Sequence, residues 1–207
     1  MVESQGPPSG QTDRKRAGQS TGHLFIVSAP SGAGKSTLCN AVRRQMGDLT
    51  YSVSYTTRSP RQGERDCVDY HFISEADFQR GISAGRWAEW ARVHGNYYGS
   101  SAKWIEQTLS AGRDILMDID LQGARQMMQR FPQAVTIFIM PPSLEELEKR
   151  LRGRGTDSRQ NIDLRLRNAQ EEIAQHGICR HVVLNDDIEK ATHDLVEIIE
   201  VYRRGAH

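Results

Sequence analysis

The stretch Ser28-Ala29-Pro30-Ser31-Gly32-Ala33-Gly34-Lys35-Ser36-Thr37-Leu38 sets small residues before a lysine and two hydroxyls, directly after the apolar run Leu24-Phe25-Ile26-Val27. That combination suits an anion. A helix beginning at Lys35 presents unpaired N–H groups and the positive end of its dipole. Gly32 and Gly34 let the backbone wrap so that several N–H groups point at one centre. Lys35 adds a full positive charge for β- and γ-phosphate oxygens, and Ser36 can place its hydroxyl on Mg2+. The spacing is G-x-x-x-x-G-K-[ST], with Ala29 at the first glycine position. Alanine serves there if the residue keeps a negative φ. Ala29 to Thr37 therefore read as a phosphate loop. A loop that merely turned the chain would leave Lys35 unexplained.

Four further groups could do chemistry. Arg58 and Arg61 flank a Pro-restricted turn, with Ser54, Thr56 and Thr57 before it and Tyr70 after. Two guanidiniums and several hydroxyls suit a second phosphate, because arginine grips phosphate oxygens bidentately. The alternative is an exposed polar loop. Glu89 stands between Trp87 and Trp90, near Tyr98 and Ser100. A carboxylate beside aromatics can accept from a base edge with two N–H donors, which guanine has and adenine lacks; the alternative is a solvated strand face. Asp118 and Asp120 share one face of a strand end. They can hold Mg2+, bind a base or cap a helix. Finally, Lys149, Arg150, Arg152, Arg154, Arg159, Arg165 and Arg167 surround Gly153 and Gly155. Such a segment suits a lid that closes on a triphosphate and lends it positive charge, or else a solvated basic face.

The elements that position these groups alternate between strand and helix. Strands are expected at 24–28, 70–73, 114–119, 135–140 and 182–184. Helices are expected at 35–46, 74–84, 101–111, from 143 onward, 162–175 and 188–203. Ser74-Glu75-Ala76-Asp77 reads as a capping box, and Ser143-Leu144-Glu145-Glu146 as a second capped start. Alternation at this spacing predicts an α/β fold with a parallel sheet flanked by helices around one core. Ligands of such sheets sit at the carboxyl ends of the strands, where the phosphate loop and Asp118 and Asp120 fall.

The 207 residues are enough for one domain, 22–207, after a Gly-, Pro- and Ser-rich tail at 1–21 that cannot offset its own ordering. Net charge is +1, which gives no argument for nucleic acid. No apolar run approaches the ~20 residues of a membrane span, and nothing resembles a secretory signal. Cys39, Cys67 and Cys179 lack metal-ligand spacing and read as free thiols, each a small buried residue, in a reducing, cytoplasmic setting. No oligomeric state can be read.

SAPSGAGKSTL, SYTTRSPRQGE…DYHF, EWARVHGNYYGS, ILMDIDLQGA and RLRGRGT together resemble guanylate kinases of the bacterial type, over residues 22 to 203. The resemblance implies a P-loop nucleoside monophosphate kinase fold with a GMP-binding insert at about 54–100 and a lid at about 150–167. It implies transfer of the ATP γ-phosphoryl group to GMP with Mg2+, in purine metabolism. Residues 29–37 would bind ATP, with Asn185 near its base. Arg58, Arg61, Tyr70 and Tyr98 would hold the GMP phosphate; Ser54, Glu89, Ser100 and Asp120 would hold guanine. Lys35, Arg150, Arg154 and Arg165 would be catalytic, and Ser36 and Asp118 would face the metal. A GTPase switch shares the phosphate loop and the D-x-x-G of DLQG, but no N-K-x-D element occurs. A non-catalytic scaffold relative would have an eroded loop, whereas Lys35 and Ser36 are intact.

Overall fold

All five residues of Leu24–Ser28 are buried, so this strand must be covered on both faces and lie inside a sheet. The computed structural model, which describes residues 21–93, 95–153 and 159–205, places it so. The strands are β1 (Leu24–Ser28), β2 (Thr50–Tyr51), β3 (Tyr55–Thr56), β4 (His71–Phe72), β5 (Trp87–Val93), β6 (Asn96–Ser101), β7 (Ile115–Asp118), β8 (Val135–Met140) and β9 (His181–Leu184). The helices are α1 (Lys35–Gln45), α2 (Glu75–Ser83), α3 (Ala102–Ser110), α4 (Leu121–Arg130), α5 (Leu144–Gly153), α6 (Arg159–Ala174) and α7 (Ile188–Arg203).

One sheet runs β2-β7-β1-β8-β9 and is parallel throughout. The two-residue period of β1 divides its side chains between two layers. Phe25 and Val27 pack with Leu38 and Val42 of α1 and Leu195 and Ile199 of α7. Leu24 and Ile26 pack with Ile105 of α3 and Ala124 and Met127 of α4. A second sheet, ordered β4-β3-β6-β5, is mixed: β3 pairs parallel with β4 and antiparallel with β6. Phe78 of α2 stacks on Trp87 at 4.4 Å and on Tyr97 at 5.2 Å to fasten it. Gly81 is needed there, since a Cβ would lie 2.7 Å from the Trp87 ring.

The parallel sheet and its helices agree with the sequence reading, except that the strand expected at 70–73 is β4 of the mixed sheet, where it pairs with β3 and not with a strand of the main sheet. The expectation of one core needs correction. Leu147, Leu151, Ile162 and Ala169 of α5 and α6 form a third apolar cluster, and the second sheet has its own aromatic packing. Cys67 is exposed rather than buried, and Cys179 is only partly covered. The tail up to residue 20, and Arg154, lie outside the described residues.

Candidate active site

The chain leaves β1 and turns through Gly32 and Gly34, whose φ values are 94° and 92°, a region that favours glycine. Ala29 keeps a negative φ, as its substitution for glycine requires. The turn is buckled from outside: Asn185 Nδ2 donates to the Ala33 carbonyl at 2.7 Å. A Cβ on Gly34 would sit 2.5 Å from that amide, so only glycine admits the buckle.

Parallel register puts Val27 beside Asp118, which carries the strand-end carboxylate up to the loop. Ser36 Oγ donates to Asp118 Oδ2 at 3.2 Å. Lys35 Nζ lies 3.4 Å from Asp118 Oδ1 and donates to the Ile119 carbonyl at 3.0 Å. Asp120 caps α4 by accepting from Gly123 N at 2.7 Å, yet it also lines the cleft. Of the readings open for it, the structure shows the helix cap.

That cleft has a volume of about 1010 Å3. One wall is the phosphate loop with Asp118 and Asp120. A second is Ser54, Arg61, Glu64, Tyr70, Glu89 and Tyr98 from the mixed sheet and its loops. The third is Asn161, Arg165, Asn168 and Glu172 of α6.

Glu89 is 5% exposed. A strand with one wet face would not bury Trp87, Ala88 and Glu89 in succession. A bulge between Trp87 and Glu89 re-aims the chain and makes this possible. Glu89 then faces Ser100 across the hairpin, and the Ser100 hydroxyl donates to Glu89 Oε1 at 2.6 Å. Burial pushes the Glu89 carboxyl up to about 7; the Ser100 bond opposes the rise and the Asp120 charge adds to it. Gly123 lets the two carboxyls converge, since a Cβ there would lie 2.8 Å from Glu89 Oε2 and 3.4 Å from Asp120 Oδ1. The site thus holds a buried carboxyl, raised above its ordinary range, against a second acid, an arrangement able to accept from a ligand with two adjacent donors.

The arginine pair is only partly as the sequence suggested. Arg58 gives its fork to Glu64, with both N···O distances 2.9 Å. Glu64 in turn accepts from the Arg61 backbone N–H at 2.7 Å. The Arg58 bond holds the Glu64 carboxyl below its ordinary range, ahead of the Arg61 N–H. Arg58 also lies over the Tyr70 ring, 5.3 Å from its centroid. A carboxylate thus occupies the fork in the geometry a phosphate would take.

Arg165 lines the cleft from α6. Arg150 donates instead to the Asn185 carbonyl at 3.1 Å and pairs with Glu146, so it braces the residue that buckles the loop. Asn185, assigned from the sequence to a base, spends its amide on Ala33. Glu64 and Glu172 were not foreseen. Glu64 stands within the arginine motif and was legible there. Glu172 had no local signal. It lines the cleft with Ser31; burial first, then the Asp120 charge, pushes its carboxyl up to about 7, against Lys35.

A family model described as guanylate kinase matches residues 21–202. A guanylate kinase of Dechloromonas aromatica is 49% identical over 178 residues, 86% of this chain and 88% of that protein. One of Aromatoleum aromaticum is 50% identical over 182 residues, 88% of this chain and 89% of that protein. The crystal structure of guanylate kinase from Anaplasma phagocytophilum superposes with a TM-score of 0.73 at 34% identity, covering 88% of this chain and 87% of that one.

Proposed function

The chain belongs to the guanylate kinase family, which phosphorylates GMP to GDP with ATP, and on that premise we propose which of its own groups perform the transfer. The observation that carries the assignment is the buried Glu89 beside Ser100 and Asp120. Guanine offers N1–H and an exocyclic amine on one edge. Adenine offers a lone pair and no amine there. A carboxylate accepts from the first and is left facing a lone pair by the second. Ser54, Glu89, Ser100 and Asp120 hold the base. Arg58, Arg61, Tyr70 and Tyr98 hold the GMP phosphate, with Glu64 released from the Arg58 fork as it arrives.

Residues 29–37 cradle the ATP phosphates, and Asn185 acts through the loop backbone by fixing Ala33. Ser36 and Asp118 offer only oxygens, 3.2 Å apart, a donor set that fits Mg2+. Bound there with ATP, Mg2+ neutralises charge on the transferring group. Lys35 leaves Ile119 for the phosphate oxygens. A GMP phosphate oxygen is already a nucleophile, so the chain supplies no general base. Its contribution is in-line positioning and positive charge. The insert is about 54–100 and the lid about 150–167, with Arg165 directed at the transferred group, Arg154 assigned the same role and Arg150 bracing Asn185. Closure excludes water that would hydrolyse ATP. A cytoplasmic setting is favoured by the free thiols. Among the described residues no helix is long and apolar enough to cross a membrane.

The direct test supplies ATP with each nucleoside monophosphate in turn in a coupled ADP assay. GMP should exceed AMP, CMP and UMP by at least ~10-fold in kcat/KM, the worth of one charge-assisted hydrogen bond. Equal use of AMP would end the Glu89 assignment.

Glu172 gives a second expectation. Its raised carboxyl ionises as pH rises through about 7, placing a negative charge beside the phosphate loop. KM for ATP at saturating GMP should therefore climb from pH 6 to pH 8. Glu172→Gln keeps the size of the side chain without the charge, and the climb should shrink by roughly threefold or more. Superimposable pH profiles for the two proteins would remove Glu172 from the site's electrostatics.

A further inference from the structure

Outside the cleft, the turn that leads into β4 and the first residue of β4 bring three chemically different donors together. One ligand atom from each of Asp66, Cys67 and His71 lies within 4.8 Å of the others. Cys67 Sγ is already 3.5 Å from Asp66 Oδ2. Two of the three are oriented by neighbours. The Phe72 N–H donates to Asp66 Oδ1 at 3.0 Å, which leaves Oδ2 turned to the thiol. The His71 ring is stacked on Tyr55 at 4.4 Å. Both Cys67 and His71 line a separate cavity of about 300 Å3, together with Ser52, Tyr55, Ser101 and Trp104.

We propose that Asp66, Cys67 and His71 form a binding site for a zinc-class divalent cation. Sulfur, imidazole nitrogen and one carboxylate oxygen are the ligands Zn2+ takes, and three protein ligands leave one tetrahedral corner for water. The thiolate and imidazole select against Mg2+, which takes oxygens. The held Asp66 oxygen and the stacked ring are the outer contacts that fix such ligands. The Sγ–H now donates to Asp66, so binding releases a proton and strengthens with pH. Cys67 N donates to the Tyr70 carbonyl at 2.8 Å, so an ion here clamps the turn that presents Tyr70 to the cleft. The site is distinct from the one assigned to Mg2+ and does not depend on it.

Co2+ is the probe, titrated into the full-length, phosphine-reduced protein without nucleotide. A near-ultraviolet thiolate-to-cobalt charge-transfer band should saturate at one equivalent and be displaced by Zn2+. Cys67 has a φ of 61°, a conformation that glycine adopts without strain. Cys67→Gly should therefore fold at least as well without metal and show no band. Asp66→Asn should weaken binding by at least ~10-fold. Zn2+ should raise the melting temperature of the parent and not of Cys67→Gly. An absent band in the parent, or one that survives Cys67→Gly, would overturn the proposal.

Discussion

Lys35→Met should lower turnover by about 10²–10³-fold, the cost of losing one preorganised charge aimed at transferring oxygens. The ammonium is the cation that the loop itself supplies, and it lies against Asp118 and the Ile119 carbonyl. Methionine keeps most of the stem's packing without the charge. The groups it leaves behind line an open cleft, where water can satisfy them, so the melting temperature should hardly move. A coupled assay at saturating ATP and GMP, with a thermal melt on the same sample, separates the two effects. A variant keeping more than half the parent's turnover would refute the role given to Lys35.

Glu89→Gln should lower kcat/KM for GMP by at least ~10-fold, with a smaller change for ATP, because one acceptor becomes a donor aimed at guanine's N–H. Activity toward AMP should fall less, so the preference narrows. Unchanged GMP efficiency would place the guanine site elsewhere. The same carboxyl makes a pH prediction. Its folded value, about 7, lies above the ordinary 4.5. Its contribution to stability is thus fully present below pH 4.5 and lost as pH rises through 7. The amide escapes that loss. The variant should match the parent near pH 4.5 and exceed it above pH 7, by up to roughly 3 kcal/mol. Urea unfolding at both pH values measures the gap; a gap that stays constant with pH would show that Glu89 does not titrate on folding. In the parent, GMP efficiency should also fall below pH 7 as the carboxylate protonates, a limb the variant should lack.

The sequence carried the phosphate loop outright, because everything the loop needs is contiguous: buried strand, glycines at the two positive-φ positions, lysine, hydroxyl. It carried β1, β8 and α7 to the residue for a similar reason: two short apolar runs bounded by breakers, and a helix closed by its own N-cap. The Ser74 box is realised as read, with Ser74 Oγ accepting from Asp77 N at 3.0 Å. The family was legible too, since its motifs are short and lie in order.

Only the folded chain decided the rest. α4 escaped notice because Gly123 in its first turn reads as a breaker, although that glycine is there so that Glu89 and Asp120 can approach. β3, β5 and β6 escaped because a mixed sheet draws partners from distant segments, and a bulge spoils the alternation that would have marked β5. Whether Glu89 was solvated or buried turned on Ser100 and Gly123, 11 and 34 positions away in the chain. Arg58 found Glu64 rather than empty solvent, Asn185 found the Ala33 carbonyl, and Glu172 found a place in the cleft wall with the phosphate loop. A carboxylate's neighbours across a fold leave no mark on the residues beside it in sequence. Local pattern reports backbone conformation and one buried face, whereas the partners a polar group meets are fixed by strand order and helix packing. This chain therefore declared its phosphate loop by itself and left its buried acids to the tertiary structure.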